Sequence, residues 1–177
     1  MSLPQPPDPA KLVIGLFTRE KQQFKEAACD LSEEFGEIEV VSPWFSFDYT
    51  CYYEAEMGGP LFRRMIVFKT PIQQDALPDI KTITNQIEFK YTRDHKRAVN
   101  IDPGYLLLER FVLATGKNYT HRIHIGKGIY ADLTLIFQNG SFQPLPWTYP
   151  DYADQTIKTF LEKIRDRLRM ELKGGKK

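Results

Sequence analysis

No run of about 18 apolar residues occurs in this sequence, so no segment reads as a membrane-spanning helix. It also lacks a basic start followed by an apolar stretch, and no secretory signal is expected. Only two cysteines are present, Cys29 and Cys51, and they form no CxxC pair. Two such thiols cannot build a cysteine-rich zinc site or staple a secreted scaffold. The expectation is one or two buried free thiols in a reducing cytosol. An excess of one charge is missing too: 24 Lys+Arg stand against 23 Asp+Glu, and the pI of 7.7 is unlike that of a dedicated nucleic-acid binder. With 11 glycines and 12 prolines the chain is not collagen-like, and with 42% hydrophobic residues it is not wholly disordered.

The familiar catalytic signatures are absent as well. Neither Gly116-Lys117 nor Gly126-Lys127 has the GxxxxGK[ST] context of a phosphate-cradling P-loop. There is no GxGxxG after a strand, no GxSxG elbow and no HExxH. These absences exclude the common ATPase, dehydrogenase, hydrolase and zincin templates.

What is present fits one soluble, cytoplasmic globular domain of 177 residues. Residues 1–10, with four prolines, read as a flexible leader, 11–172 as the domain and 173–177 as a basic tail. Charge is unevenly distributed: residues 1–60 carry 4 Lys+Arg against 11 Asp+Glu, and the remainder 20 against 12. The fold expectation is α+β. Lys11 to Phe17 is a short apolar strand, and Thr18 is positioned to cap a helix whose stripe is Phe24, Ala27, Ala28, Leu31 and Phe35, stopped by Gly36. Ile38 to Phe47, broken at Pro43, and Leu61 to Phe68 follow as strands. A second helix starts near Asp75 with Pro78 in its first turn and buries Ile80, Ile83 and Ile87. Val99 to Ile101 is a fourth strand, ended by Asp102-Pro-Gly104. This is the βαββαβ order of a ferredoxin-like sheet, with two helices on one face. Hairpin signals at Gly126-Lys-Gly128 and Asn139-Gly140, then a final amphipathic helix, extend the core and supply a second layer.

Three polar clusters carry candidate chemistry. The first is Asp48, Glu54 and Glu56, interleaved with Tyr49, Tyr52 and Tyr53. Its carboxylates suit Mg²⁺, which takes a few direct oxygens and keeps water, or one desolvated acid suits general-base work. Solvated glutamates with Asp48 in a turn are the plainer alternative. The second is Asn100-Ile-Asp102-Pro-Gly-Tyr105, where alternation puts Asn100 and Asp102 on one face and the turn exposes Asp102 and Tyr105. Such a pair suits a ribose or base edge, or merely an Asx turn. The third is Lys117, His121, Arg122 and His124 with Lys127: Arg offers a planar fork for phosphate and Lys a point charge, while a basic strand facing water is the alternative. Trp147-Thr-Tyr-Pro-Asp-Tyr152 is either a core plug or a stacking shelf.

Phe47-Asp-Tyr-Thr-x-Tyr-Tyr-x-x-Glu-Met-Gly58, Asn100-Ile-Asp-Pro-Gly-Tyr-Leu106, His121-Arg-Ile and Trp147-Thr-Tyr-Pro-Asp-Tyr152 together resemble the signature stretches of a small prokaryotic family, domain of unknown function 4416. The resemblance runs from Lys11 to the final helix. Some members bear the label "GTP-binding protein", but this sequence has neither a P-loop nor an NKxD-type guanine-reading motif. The resemblance implies that the three clusters belong to one design.

The functional expectation is binding of a nucleotide or other phosphorylated small molecule. Asp48, Glu56, Asp102 and His121 are placed for chemistry, with Mg²⁺ as the candidate cofactor. Asn100, Tyr105, Lys117, Arg122 and Lys127 are placed for binding. The alternatives are a non-catalytic interaction protein touching RNA through its basic C-terminal helix and a ligand-free homo-oligomer. From Gln155 onward that helix and tail hold 8 Lys+Arg against 3 acids.

Overall fold

The structure, a computed structural model, describes residues 1–49 and 53–174. Cys51, Tyr52 and the end of the basic tail, residues 175–177, lie outside the described residues, and of Glu54 only the backbone is described. Strand β1 (Lys11–Thr18) is buried at every position: Leu12 to Phe17 form an apolar run, and Lys11 is paired with Glu39 and Glu171. Helix α1 (Lys21–Phe35) buries Phe24, Ala27 and Leu31 and stops at Gly36, whose φ of 86° suits glycine. Thr18 does not cap it. Its hydroxyl accepts the Glu20 amide at 3.2 Å and donates to the Ala98 carbonyl at 2.9 Å, tying down the strand end. Cys29, expected to be buried, is exposed because it falls off the stripe that Ala27 and Leu31 define.

Strands β2 (Ile38–Val41) and β3 (Phe45–Phe47), divided at Pro43, both pair with β4 (Leu61–Phe68); α2 (Glu54–Met57) lies between β3 and β4. A 3₁₀ turn at Gln74–Ala76 leads into α3 (Leu77–Lys90). Neither has a side-chain cap, so Asp75 does not play the expected role, while Pro78 does sit in the first turn. A small hairpin, β5 (Thr92–Arg93) and β6 (Lys96–Arg97), turns through Asp94 and His95. Then come β7 (Val99–Leu106), β8 (Arg110–Thr115), β9 (Arg122–Gly126), β10 (Ile129–Gln138) and β11 (Ser141–Pro144). The chain ends in α4 (Pro150–Ala153) and α5 (Gln155–Gly174).

Among the described residues, nine strands form one antiparallel sheet in the order β11-β10-β8-β7-β1-β4-β2, with β3 beside β4 and β9 beside β10. Helices α1 and α3 cover one face, where Leu12, Ile14, Ile66 and Ile101 meet Phe24, Leu31, Ile80 and Ile87. The C-terminal strands extend this same sheet instead of forming a second layer. Helix α5 supplies that layer, packing Ile157, Leu161 and Ile164 on Val13, Met65, Phe111 and Leu135. No helix among the described residues is long and apolar enough to cross a membrane.

Strand β7 departs most from expectation, running straight through Asp102-Pro-Gly104 to Leu106. Pairing with β8 begins only at Gly104, so the missing amide hydrogen of Pro103 falls where β7 has one ladder, with β1. Gly104 makes no turn: a Cβ there would lie 2.4 Å from the Val112 carbonyl oxygen, so β8 packs against bare backbone. Beyond that point β7 and β8 diverge. The polar backbone that β8 leaves open at Ile101 is closed by α3, where Glu88 accepts the amide at 2.5 Å and Lys81 donates to the carbonyl at 2.8 Å. On the α5 face, Asn100 and Asp102 stand at this fork.

Candidate functional site

Alternation along β4 puts Leu61, Arg63, Met65 and Val67 on the face that α5 covers. An arginine in that row is buried with its neighbours, and Arg63 is 1% exposed. Glycine at position 15 of β1 makes room for it, since a Cβ there would sit 2.6 Å from Arg63 Nη2 and 2.8 Å from the Tyr152 hydroxyl. A buried charge must be paired. Arg63 Nη1 donates to Asp151, Nη2 donates to the Tyr152 hydroxyl at 2.5 Å, and Asp102 Oδ2 lies 3.7 Å from Nη2. The rings of Tyr152, Phe47 and Phe17 surround the guanidinium at 4.2, 5.6 and 5.9 Å. Burial pushes the Tyr152 phenol well above its ordinary value, so it stays neutral.

Arg63 forms part of a cleft of about 290 Å³. Trp44, Phe45, Ser46, Asp48 and Tyr49 line it from the β3 side; Asp151, Asp154, Thr156 and Ile157 line it from α4 and α5. Asp154 caps α5 by accepting the Thr156 amide at 2.8 Å. Hydrogen bonding from Thr156 holds its carboxyl below the usual range against the opposing effect of burial. Burial and then Asp154 push the Tyr49 phenol up. Asp48 is therefore in a cleft, beside an aromatic wall.

The other candidate residues are distributed differently. Glu56 is held by Arg97 through a two-pronged pair, Nε to Oε1 at 2.7 Å and Nη2 to Oε2 at 2.8 Å. That hydrogen bonding holds its carboxyl below the ordinary value, and both oxygens are occupied, against the expected roles of metal ligand or base. Asn100 is 4% exposed; its Oδ1 accepts from Arg97 Nη1 at 2.9 Å, while its Nδ2 has no partner among the described residues. Asp102 is half-buried at the fork. Tyr105, expected to be exposed, is buried among Leu77, Leu107, Val112 and Ile129, because three residues along a strand reverse the face.

Arg122 does not face water. It is buried, donating from Nε to Asp132 at 2.8 Å, from Nη1 to the Lys117 carbonyl at 3.0 Å and from Nη2 to the Tyr149 hydroxyl at 3.0 Å. His121 reaches the same carboxylate, with Nε2 3.3 Å from Asp132 Oδ2. In an extended strand His121 and Arg122 would take opposite faces, but β9 begins only at Arg122 and the preceding turn brings both to Asp132. Lys117 is exposed, and Lys127, in the β9–β10 turn, pairs with Asp79 of α3. Trp147 to Tyr152 is a core plug at its far end, where Tyr152 and Asp151 are buried, whereas Trp147 is partly exposed, stacks on His121 and donates to the Leu133 carbonyl at 2.8 Å.

Tyr53 ties these groups together. Burial raises its phenol first and Asp102 raises it further, while Arg97, Tyr149 and Arg63 also act on it. Asp102 lies beside Arg63, Asp48 lines the cleft that Arg63 borders, Glu56 is bound to Arg97, and Arg122 is bound to Tyr149. Tyr105 and Lys127 stand apart. The three arginines of the C-terminal helix are engaged: Arg165 donates to the Leu108 carbonyl at 2.6 Å, Arg167 lies 3.6 Å from Glu39 and Arg169 3.4 Å from Asp166. Among the described residues, no group of three or more His, Cys, Asp or Glu side chains is arranged to hold a metal ion.

Arg63, Arg97, Asp132 and Asp151 were not among the expected residues. One of them carried a signal: Arg63 interrupts the otherwise apolar face of Leu61, Met65 and Val67 on β4, and a charge on a buried strand face demands a partner.

Residues 8–168 match the family described as Domain of unknown function (DUF4416), which covers nearly the whole chain, and the chain belongs to that family. No curated protein and no solved structure matches it.

Proposed function

We propose that this family member binds a nucleotide or another phosphorylated small molecule at the Arg63 cleft, its phosphate accompanied by a divalent cation, Mg²⁺ in the first instance. One observation carries the reading: Asp48, Asp151 and Asp154 line the same hollow as Trp44, Phe45 and Tyr49, with the buried Arg63 between them. A volume of about 290 Å³ is close to the lower end of ligand sites, and the lining is more polar than usual for them: three aromatic rings face Ser46, Thr156, Arg63 and three aspartates. Carboxylates accept hydrogen bonds from sugar hydroxyls. They repel a bare phosphate, which is why the cation belongs to the proposal. Mg²⁺ is commonly held by one or two carboxylates, substrate phosphate and water, a demand that Asp48 and Asp154 suffice to meet. Arg122 and Lys127 are already paired and are left out of the phosphate site. The reading assigns binding, not turnover.

We also read β7-β1-β4-β2 with α1 and α3 as a ferredoxin-like unit. In order of appearance its strands lie fourth, first, third, second, all antiparallel.

Thermal unfolding with a nucleotide panel, with and without Mg²⁺, tests the function. A ligand at about 100 times its dissociation constant adds roughly 2.7 kcal/mol, which raises Tm by about 5–11 °C for a chain of this size. Absence of any Mg²⁺-dependent rise across the panel overturns the proposal.

A further inference from the structure

We infer that the stacked rings of Tyr119, His121 and Trp147 form a platform for a nucleobase, which rests on the nucleotide reading and says where the base lies. The three rings are nearly parallel. His121 and Trp147 are 5.0 Å apart between centroids at an interplanar angle of 15°, and Tyr119 and His121 are 6.2 Å apart at 16°. Core rings are covered, but Tyr119 is 54% and Trp147 37% exposed.

Each ring is nevertheless held in place. Trp147 Nε1 donates to the Leu133 carbonyl, and the Asp132 carboxylate faces His121 Nε2. Tyr119 lies 4.5 Å from the Arg122 guanidinium, which Asp132, the Lys117 carbonyl and the Tyr149 hydroxyl fix in turn. An exposed π surface fixed in advance binds a flat ring with little further loss of side-chain freedom. Stacking on such rings suits every base, because each has a π face. Arg122 and Asp132 neutralise each other beneath the platform, which favours an uncharged ring over a phosphate there.

The platform and the cleft belong to one stretch of chain. Trp147 is in the stack, Tyr149 accepts from Arg122, Asp151 accepts from Arg63 and Asp154 lines the cleft. From Trp147 to Asp151 the chain spans at most about 14 Å. A base on the platform then has its sugar and cation-bound phosphate directed along this stretch toward the cleft.

Two tryptophans occur in the chain, one in each place, and they allow a direct test. In W44F, Trp147 is the sole reporter of the platform; in W147F, Trp44 is the sole reporter of the cleft. The probes are the four ribonucleoside triphosphates with Mg²⁺ and a short single-stranded oligouridine. The expected result is saturable quenching of Trp147 by a nucleotide that also raises Tm. Tyr119→Ala, at an exposed position that leaves the core intact, should then weaken binding about tenfold, or roughly 1.4 kcal/mol. Quenching by oligouridine alone supports the platform, with its base drawn from a single strand, and removes the free-nucleotide reading. A rise in Tm with Trp147 emission unmoved overturns the platform and spares the nucleotide reading. Silence of both reporters with no rise in Tm overturns both.

Discussion

Arg63 Nη2 stands 2.5 Å from the Tyr152 hydroxyl and 3.7 Å from Asp102 Oδ2, so β4, β7 and α4 meet at one guanidinium. Removing one partner of a buried pair strands the other. Arg63→Met should therefore destabilise by about 3–5 kcal/mol, because Asp151 keeps its charge without its donor. Arg63→Met/Asp151→Leu should recover most of that loss. Urea unfolding of the two variants, compared at equal m-values, measures both effects.

The glycines give a sharper contrast. Gly104→Ala must push backbone against backbone, with the Val112 carbonyl oxygen 2.4 Å from the new Cβ. A loss of about 2 kcal/mol or more is expected. Gly116→Ala has no heavy atom within 4 Å and should leave stability within about 0.5 kcal/mol. Thermal melts of the pair decide this, and equal stability would remove Gly104 as a packing requirement.

Much of this was legible beforehand, and the reasons are local. Apolar periodicity marked α1, α3 and α5, short apolar runs marked β1 and β4, and Asn139-Gly140 marked a hairpin, because those signals depend on near neighbours. Pro103 misled, since whether a proline ends a strand depends on whether a second ladder is present at that residue, and that is set by β8. The site was legible only in part. Asp102 lies beside Arg63 and Asp48 lines the same cleft, an arrangement organised by an arginine that the reading of the sequence left out, and Arg122 and Glu56 are taken by Asp132 and Arg97, partners 10 and 41 residues away. Pairing at such separations leaves no local pattern.

Acid should act through Glu56. In the folded chain its hydrogen bonds with Arg97 hold it below the ordinary glutamate value, so on acidification the unfolded chain takes up the proton first. The stability it contributes is complete above the ordinary value of 4.5 and is lost as pH falls through the lower folded value. Because the pair is partly exposed, the contribution is about 1 kcal/mol. Glu56→Gln should lie that much below the wild type at pH 7, with the gap closing below pH 4.5; a gap that is constant with pH would contradict the assignment.

Charge at the cleft should matter, and charge at the β9–β10 turn should not. Asp48→Asn should weaken Mg²⁺-nucleotide binding by about tenfold, or roughly 1.4 kcal/mol. Lys127→Ala should leave it unchanged, because Lys127 pairs with Asp79 of α3 and lines no part of the cleft. Equilibrium titration of both variants gives the answer.

The most direct measurement is calorimetric titration of a Mg²⁺-nucleotide into the wild type and into Ser46→Trp. Ser46 lines the cleft from an exposed position on β3, so a large ring there fills the hollow without entering the core. The account predicts one site in the wild type and no heat of binding in Ser46→Trp at unchanged Tm. Equal binding by the two proteins would place the ligand elsewhere and contradict it.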